Sequence, residues 1–145
     1  MNYNNKSEIL KRANFLLKDG VKNRESIFHT PIISSFSHQN ISSRVMVLRA
    51  HNATQRTMRF HSDFRSDKVK EMLDDPRTSI IAYDPALKTQ IRLVGKSKIH
   101  HNNKNSLKAW DESQAISKKC YSVKDGSSHK AKKPEIYDFH MKDIK

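Results

Sequence analysis

Apolar and polar residues alternate along much of this chain, which is the pattern of half-buried β-strands. Strands are predicted at residues 27–37, 42–49, 57–61, 78–84 and 89–100. Pro31 interrupts the first of them, because proline has no N–H to donate and favours edges and bulges. The turn-forming residues at 38–40 predict that the first two strands make a hairpin.

Helical spacing replaces this alternation in a few segments. Residues 7–20 carry one apolar face, with Ser7 as the predicted N-cap and Gly20 as the predicted stop. A second helix is expected after Ser66, whose hydroxyl can accept from the first-turn N–H groups, and Pro76 ends it.

After Asn102 the spacing of apolar residues is less regular. Two short helices are expected first, followed by a polar, lysine-rich segment at 122–133 that is predicted to be a mobile loop. Residues 134–145 contain enough apolar positions to begin another strand, and the C-terminal end is expected to be incomplete. Residues 1–145 are predicted to form one domain, mainly β with short helices and antiparallel strands.

The composition narrows the class of protein. A chain of 145 residues, 35% of them hydrophobic, can bury one core, and no apolar run approaches the roughly 20 residues of a membrane span. One cysteine, Cys120, excludes an internal disulfide, and the N-terminus has no apolar signal region, so a cytoplasmic location is expected. The net charge of +13 favours a phosphate-bearing cofactor, nucleic acid or an acidic surface as partner. A lysine-rich protein that has no such partner would carry the same net positive charge.

The segment Phe60–Lys68 concentrates the candidate chemistry. It has the pattern of a strand end, a turn and a helix start, where backbone N–H groups and the cations Arg65 and Lys68 can converge on a phosphate. A solvated helix start is the alternative. Gln90 and Arg92 share one face of a predicted strand, where they can bind a heteroaromatic ring or simply face solvent.

Arg44 and Arg49 begin and end another predicted strand. Five positions apart, their side chains point to opposite faces, and an arginine on a buried face must be paired or border a cavity. Both can also reach solvent from the strand ends. His100 and His101 are adjacent and therefore point apart, so no metal site is predicted, and no residue stands out as a catalytic base.

The chain resembles the pyridoxamine 5′-phosphate oxidase-like family, the FMN-binding split β-barrels. The resemblance rests on four blocks, namely Arg44–Arg49, Phe60–Lys68, Asp75–Arg77 and Gln90–Gly95. It implies an antiparallel split barrel that forms a homodimer with FMN in a groove between subunits. It also implies an FMN-dependent oxidoreductase with a small-molecule substrate. No membrane partner is expected from the apolar pattern, and nucleic acid is the less favoured partner.

The resemblance assigns a set of residues to FMN. They are Arg44, Val45, Met46, Val47, Leu48, Arg49, His61, Ser62, Arg65, Ser66, Lys68 and Gln90. Arg44 would help to hold the phosphate, and the main chain that follows it would run along the flavin. Arg49 stands where true oxidases place a cation facing the substrate phosphate. His61 and Ser62 would bond the ribityl chain or the ring edge, and Gln90 would contact the flavin.

The family's Ser-Arg-Lys phosphate motif falls on Ser66, Asp67 and Lys68. Asp67 replaces the arginine, and the neighbouring Arg65 is expected to serve instead. The family's terminal segment of Trp and Arg, which completes the barrel and the flavin site, is not found in this sequence.

The substrate is expected to differ from pyridoxamine phosphate. The residues that grip pyridoxal phosphate in true oxidases would fall at 107–117, where this chain has Lys108, Glu112 and Ile116. The competing hypothesis is a small basic nucleic-acid-binding β domain without enzymatic activity, supported by the charge of +13 and the lysines at 130–133. A lack of exposed aromatic residues in a row counts against it.

Overall fold

The computed structural model describes residues 5–38 and 40–122, and the segments predicted as a loop and a last strand beyond residue 122 lie outside this part. The helices are α1 (Lys6–Lys22), α2 (Asp67–Asp74), α3 (Lys104–Asp111) and α4 (Ala115–Lys119), with a 3-10 helix at Ile27–His29. The strands are β1 (Ile32–Ser37), β2 (Asn40–Val45), β3 (Leu48–Asn52), β4 (Thr57–Phe60), β5 (Arg77–Asp84) and β6 (Thr89–Lys96).

These strands form two antiparallel sheets. One contains four strands in the order β2-β1-β5-β6, and the other pairs β3 with β4. The predicted hairpin is present as β1 and β2, with Ile33 opposite Arg44 and Ser35 opposite Ser42. A mainly β fold with short helices and antiparallel strands is thus confirmed. The strands of the described residues close no barrel, so the split barrel stays a prediction.

The chain divides into two compact units. The strand unit holds the described residues of 5–61 and 77–96, which include α1 and both sheets. The helical unit holds residues 62–76 and 97–122, which include α2, α3 and α4.

The core of the strand unit lies between α1 and the sheets. Its buried residues are Leu16, Leu17, Phe28, Leu48, Ala82 and Ile91. Leu16 and Leu17 come from the apolar stripe of α1, as helical spacing requires. Leu48 at the start of β3 has no exposed surface at all. Burial of a large apolar side chain contributes about 1.5–3 kcal/mol.

Both predicted ends of the first helix are wrong. The N-cap is Asn5, whose Oδ1 accepts from the backbone N–H groups of Ser7 and Glu8 at 3.0 and 3.3 Å. Gly20 is buried inside the helix, which continues to Lys22. The reason is tertiary packing, because the 3-10 helix passes too close to Gly20 for any side chain.

The strand predicted at 42–49 is in fact two strands in different sheets. β2 ends at Val45 and β3 begins at Leu48. Between them the N–H of Met46 donates to the carbonyl of Pro31 at 3.1 Å, which fixes the chain where it leaves the first sheet. The predicted first strand also begins late, because residues 27–29 form the 3-10 helix, and β6 ends at Lys96 rather than at His100.

The helical unit contains a capped helix and a hydrogen bond between distant backbone groups. α3 begins with a capping box, in which the Asn103 side chain accepts from the N–H of Ser106 and the Ser106 hydroxyl accepts from the N–H of Asn103. The Ser97 N–H donates to the Pro76 carbonyl at 2.7 Å.

Candidate functional site

The turn before α2 centres on an ion pair between Asp63 and Arg65. Asp63 Oδ1 accepts from the Arg65 backbone N–H at 2.9 Å and from its Nε at 3.0 Å. Oδ2 accepts from Nη2 at 2.6 Å. Nη2 also donates to the Tyr121 carbonyl at 3.3 Å. The guanidinium is therefore held in one place by side-chain and main-chain oxygens.

Arg65 also shifts the acidity of its partner. Its side-chain hydrogen bonds lower the pKa of the Asp63 carboxyl below the ordinary value, while burial of the carboxyl acts in the opposite direction. The Arg65 N–H and the charges of Arg65 and Lys68 add to the lowering. Asp63 is consequently an anion near neutral pH, and it offsets part of the positive charge at the helix start.

Ser66 is the N-cap residue of α2, as predicted, but its hydroxyl makes no capping bond. Instead Oγ donates to the Asp63 carbonyl at 2.6 Å and lies 3.1 Å from the Ser62 hydroxyl. Ser66 is buried, and the Asp63 carbonyl also accepts from its N–H. Asp67, at the position of the family's arginine, is exposed and pairs with Lys70 at 3.5 Å. Four predicted residues, Ser62, Arg65, Ser66 and Lys68, thus occupy one turn and helix start.

Arg44 lies on the face of the four-stranded sheet that carries the core. Its Nη1 donates to the Ser35 hydroxyl at 2.6 Å and its Nη2 to the Ser42 hydroxyl at 2.7 Å. Ser35 is buried, and the register places Ser35 and Ser42 opposite each other. Of the two alternatives left open by the sequence, Arg44 fits a half-buried arginine on the core face, with hydroxyl groups to hold it.

The side chains in the rest of the predicted flavin-binding strand, residues 45–49, differ in their exposure and do not alternate regularly between two faces. Val45 is exposed, Met46 and Val47 are half-buried between the two sheets, and Leu48 faces the core. Arg49 falls where the pairing of β3 with β4 shifts between Leu48 and Ala50. Such irregularities redirect a side chain, so Arg49 does not follow simple alternation.

Gln90 and Arg92 lie on the opposite face of the four-stranded sheet from Arg44. The register aligns Arg44, Ile33, Ile80 and Leu93 on one face, and Tyr83 with Gln90 on the other. We call this second face the outer face. Its exposed apolar residues are Ile32, Phe36, Ile41, Val45, Tyr83 and Val94. Its cations are Arg77, Arg92 and Lys96, with the Arg77 guanidinium 4.3 Å from the centre of the Phe36 ring.

Two features of these sites were missed from sequence. Asp63 was not singled out, although an aspartate in a predicted turn often accepts from the backbone N–H two residues later, as Asp63 does from Arg65. Ser35 and Ser42 were missed because their role depends on strand pairing. His61, which was predicted, lies half-buried directly after β4.

Known proteins support this structure. The family described as pyridoxamine 5′-phosphate oxidase, FMN-binding domain, matches residues 14–101. A pyridoxamine 5′-phosphate oxidase-related, FMN binding protein from Nostoc punctiforme PCC 73102 superposes with a TM-score of 0.67 at 16% identity, over 83% of this chain and 66% of that one. PhzG from Burkholderia lata 383, solved in complex with tetrahydrophenazine-1-carboxylic acid, gives 0.64 at 18% identity, over 87% and 60%.

These solved structures show the fold, and this chain spans less than two thirds of the length of each. No curated protein matches. None of the described helices is both long and apolar enough to cross a membrane. Because the family match covers more than half of the chain, the protein belongs to the pyridoxamine 5′-phosphate oxidase family of FMN-binding domains.

Proposed function

We propose that this protein is an FMN-dependent oxidoreductase that works as a homodimer on a small molecule other than pyridoxamine 5′-phosphate. The observation that carries this is the family match, because residues 14–101 include all twelve residues assigned to FMN. The contacts and exposure of the residues assigned to FMN are compatible with such a ligand.

The start of α2 suits a phosphate. Arg65 is held in place by Asp63, and Lys68 lies in the first turn of the helix. A helix of eight residues also directs the positive end of its dipole to this end. Arg65, Ser66 and Lys68 would hold the FMN phosphate here, and Ser62 would bond the ribityl chain.

The resemblance also assigns residues of the strand unit to FMN. Leu48 can contribute only through its main chain, because its side chain is fully buried. Arg44 would add positive charge from a fixed position, since two serine hydroxyls hold its guanidinium. The exposed Gln90 amide can donate to and accept from a heteroaromatic ring.

When bound, FMN would accept a hydride from the substrate and pass the electrons to oxygen or another acceptor. The residues named above would bind and orient the cofactor. We assign no catalytic base.

The residues of α3 and α4, the helices that follow β6, support a substrate other than pyridoxamine phosphate. Lys108 on α3 lies 3.7 Å from Glu112, the residue that follows this helix, and Ile116 on α4 is exposed. Ile116 carries no polar group that could bond a substrate phosphate. The fold itself accepts other ligands, since PhzG was solved with tetrahydrophenazine-1-carboxylic acid.

The homodimer is supported by the outer face. Arg44 and Gln90 are on opposite faces of one sheet. Both can contact one FMN if Gln90 belongs to a second copy, whose exposed apolar residues would cover those of the first.

An absorbance spectrum of the purified protein, before and after addition of FMN and gel filtration, tests the proposal. We expect flavin bands that stay with the protein. They should be lost in an Arg44→Ala, Lys68→Ala double variant, because the phosphate loses two cations. Lys70→Ala is the control, since Lys70 is an exposed cation on the same helix that pairs with Asp67.

A colourless protein that also ignores added FMN would overturn the flavoenzyme proposal. Steep weakening of nucleic-acid binding with salt would then favour the basic β-domain hypothesis. Retention of FMN by the double variant would leave a flavoprotein but would contradict the proposed phosphate residues.

A further inference from the structure

The ion pair between Asp63 and Arg65 is asymmetric in its exposure. The Asp63 side chain is 8% exposed, whereas that of Arg65 is 46% exposed. The carboxylate therefore lies on the protein side of the pair and the guanidinium on the solvent side. An anion that approaches this turn from solvent meets the cation first.

Asp63 holds Arg65 by more than its charge. It accepts from the backbone N–H, from Nε and from Nη2, so it fixes both the turn and the plane of the guanidinium. A flexible arginine loses rotamer freedom when it binds a ligand, and this loss weakens binding. Arg65 has lost much of that freedom already, because planar two-point contacts restrict its torsions.

The same residue also positions Ser66. The Asp63 carbonyl accepts from both the N–H and the hydroxyl of Ser66, at 3.1 and 2.6 Å. Two of the residues proposed to hold the phosphate thus depend on Asp63, one through the side chain and one through the main chain.

We propose that Asp63 is a positioning residue that orients Arg65 for the FMN phosphate, an inference that rests on the proposed function. A carboxylate near a phosphate has a second effect, because like charges repel. Positioning and repulsion predict opposite results when Asp63 is neutralised. The burial of the carboxylate behind the guanidinium favours positioning.

The test compares FMN with riboflavin, which has the same ring and no phosphate. Affinities are measured by flavin fluorescence for the full-length wild type and for Asp63→Asn. We expect Asp63→Asn to weaken FMN binding about tenfold, the scale of one charge-assisted hydrogen bond, and to leave riboflavin binding within about twofold.

Asp67→Asn is the matched control. It removes a negative charge from the same helix start, but Asp67 is exposed and pairs with Lys70 instead of Arg65. We expect this variant to bind FMN as tightly as the wild type or more tightly, because it removes a charge that repels the phosphate and leaves the contacts of Arg65 unchanged.

Arg65→Lys separates orientation from charge, because lysine keeps the cation and loses the planar two-point contact. It should weaken FMN binding about as much as Asp63→Asn, and the combined variant should be no weaker than Arg65→Lys alone. Thermal unfolding checks that each variant is folded. If Asp63→Asn does not fold, an unchanged preference for FMN over riboflavin in Arg65→Lys overturns the proposal.

The outcomes distinguish a failure of the proposed function from a failure of the positioning role of Asp63. A wild type that binds neither flavin overturns the proposed function, and the role of Asp63 with it. A wild type that prefers FMN, together with an Asp63→Asn variant that binds FMN equally or more tightly, overturns only the positioning role.

Discussion

At the scale of single residues, Gly20 shows how a distant segment decides what a position can hold. A glycine inside a helix is ordinarily less favourable than alanine by about 1 kcal/mol. Here a Cβ would lie 2.6 Å from the carbonyl carbon of Phe28. The Gly20 carbonyl also lies 2.6 Å from Nδ1 of His29. The missing side chain is therefore what lets α1 and the 3-10 helix pack together.

Gly20→Ala is expected to lower the free energy of unfolding by about 1–3 kcal/mol, because overpacking against backbone atoms outweighs the better helix propensity of alanine. Urea denaturation measures this. Gly95→Ala is the control, since a Cβ there meets nothing within 4 Å and the change should stay within about 0.5 kcal/mol. A Gly20→Ala variant as stable as the wild type would contradict the packing argument.

For other residues the sequence predicted the position but not the hydrogen bonds that the side chain makes. The sequence located Ser66 at the start of α2, yet its hydroxyl bonds the Asp63 carbonyl instead of the first turn. A serine hydroxyl has several acceptors and donors within three residues, so local pattern cannot choose between them. The cations at this turn were also predictable, whereas the contact between the Asp63 carboxylate and the Arg65 guanidinium is seen only in the structure.

At the scale of elements, the sequence located most strands and helices because turn residues bracket them. β5 and α2 lie within one residue of their predicted ends. The division of residues 42–49 between two sheets could not be predicted, because residues 45–48 are an unbroken apolar run between Arg44 and Arg49, with no glycine or proline to mark a break. Only the pairing partners, β1 for β2 and β4 for β3, reveal the break.

His51 joins β3 to α1, with its Nε2 2.9 Å from Oδ1 of Asn14. Burial lowers the pKa of His51, and a backbone hydrogen bond with Thr57 opposes this less strongly. The unfolded chain then binds more protons than the folded one. The contribution of His51 to stability is therefore complete above its ordinary pKa of about 6.5 and decreases as the pH falls below it.

His51→Asn should accordingly lose less stability than the wild type between about pH 8 and pH 5, since the titrating group is gone. The free energy of unfolding at each pH, from urea denaturation, measures this. His38→Asn is the control, because His38 is exposed and has a φ of 52°, which asparagine tolerates. Equal losses in His51→Asn and the wild type would show that His51 does not couple stability to pH.

At the scale of the whole molecule, the four-stranded sheet presents two faces of different chemistry. One packs on the core of the strand unit, and the outer face exposes apolar residues together with Arg77, Arg92 and Lys96. The sequence predicted one apolar side for β6 but not this cluster, because its members come from four strands whose order is set by long-range pairing.

Val94→Asp should convert the proposed dimer to a monomer, because it places a carboxylate on the outer face, where the proposed interface would bury it. Val94 is 83% exposed in the single chain, so the substitution should leave its fold intact. Sedimentation velocity distinguishes the dimer from the monomer. Leu10→Asp, at another exposed apolar position on α1, should stay dimeric. A dimeric Val94→Asp protein would place the interface elsewhere.

Because Arg44 and Gln90 lie on opposite faces of one sheet, two variant chains should be able to complement each other in a mixed dimer. If each FMN takes its arginine from one copy and its glutamine from the other, Arg44→Ala and Gln90→Ala chains can rescue each other. Each variant alone should retain little FMN. Co-refolded in equal amounts, half of the dimers would be mixed and would hold one intact site, so about one site in four should recover. Two defective proteins would together make a coloured one, whereas a site confined to one chain would leave the mixture colourless.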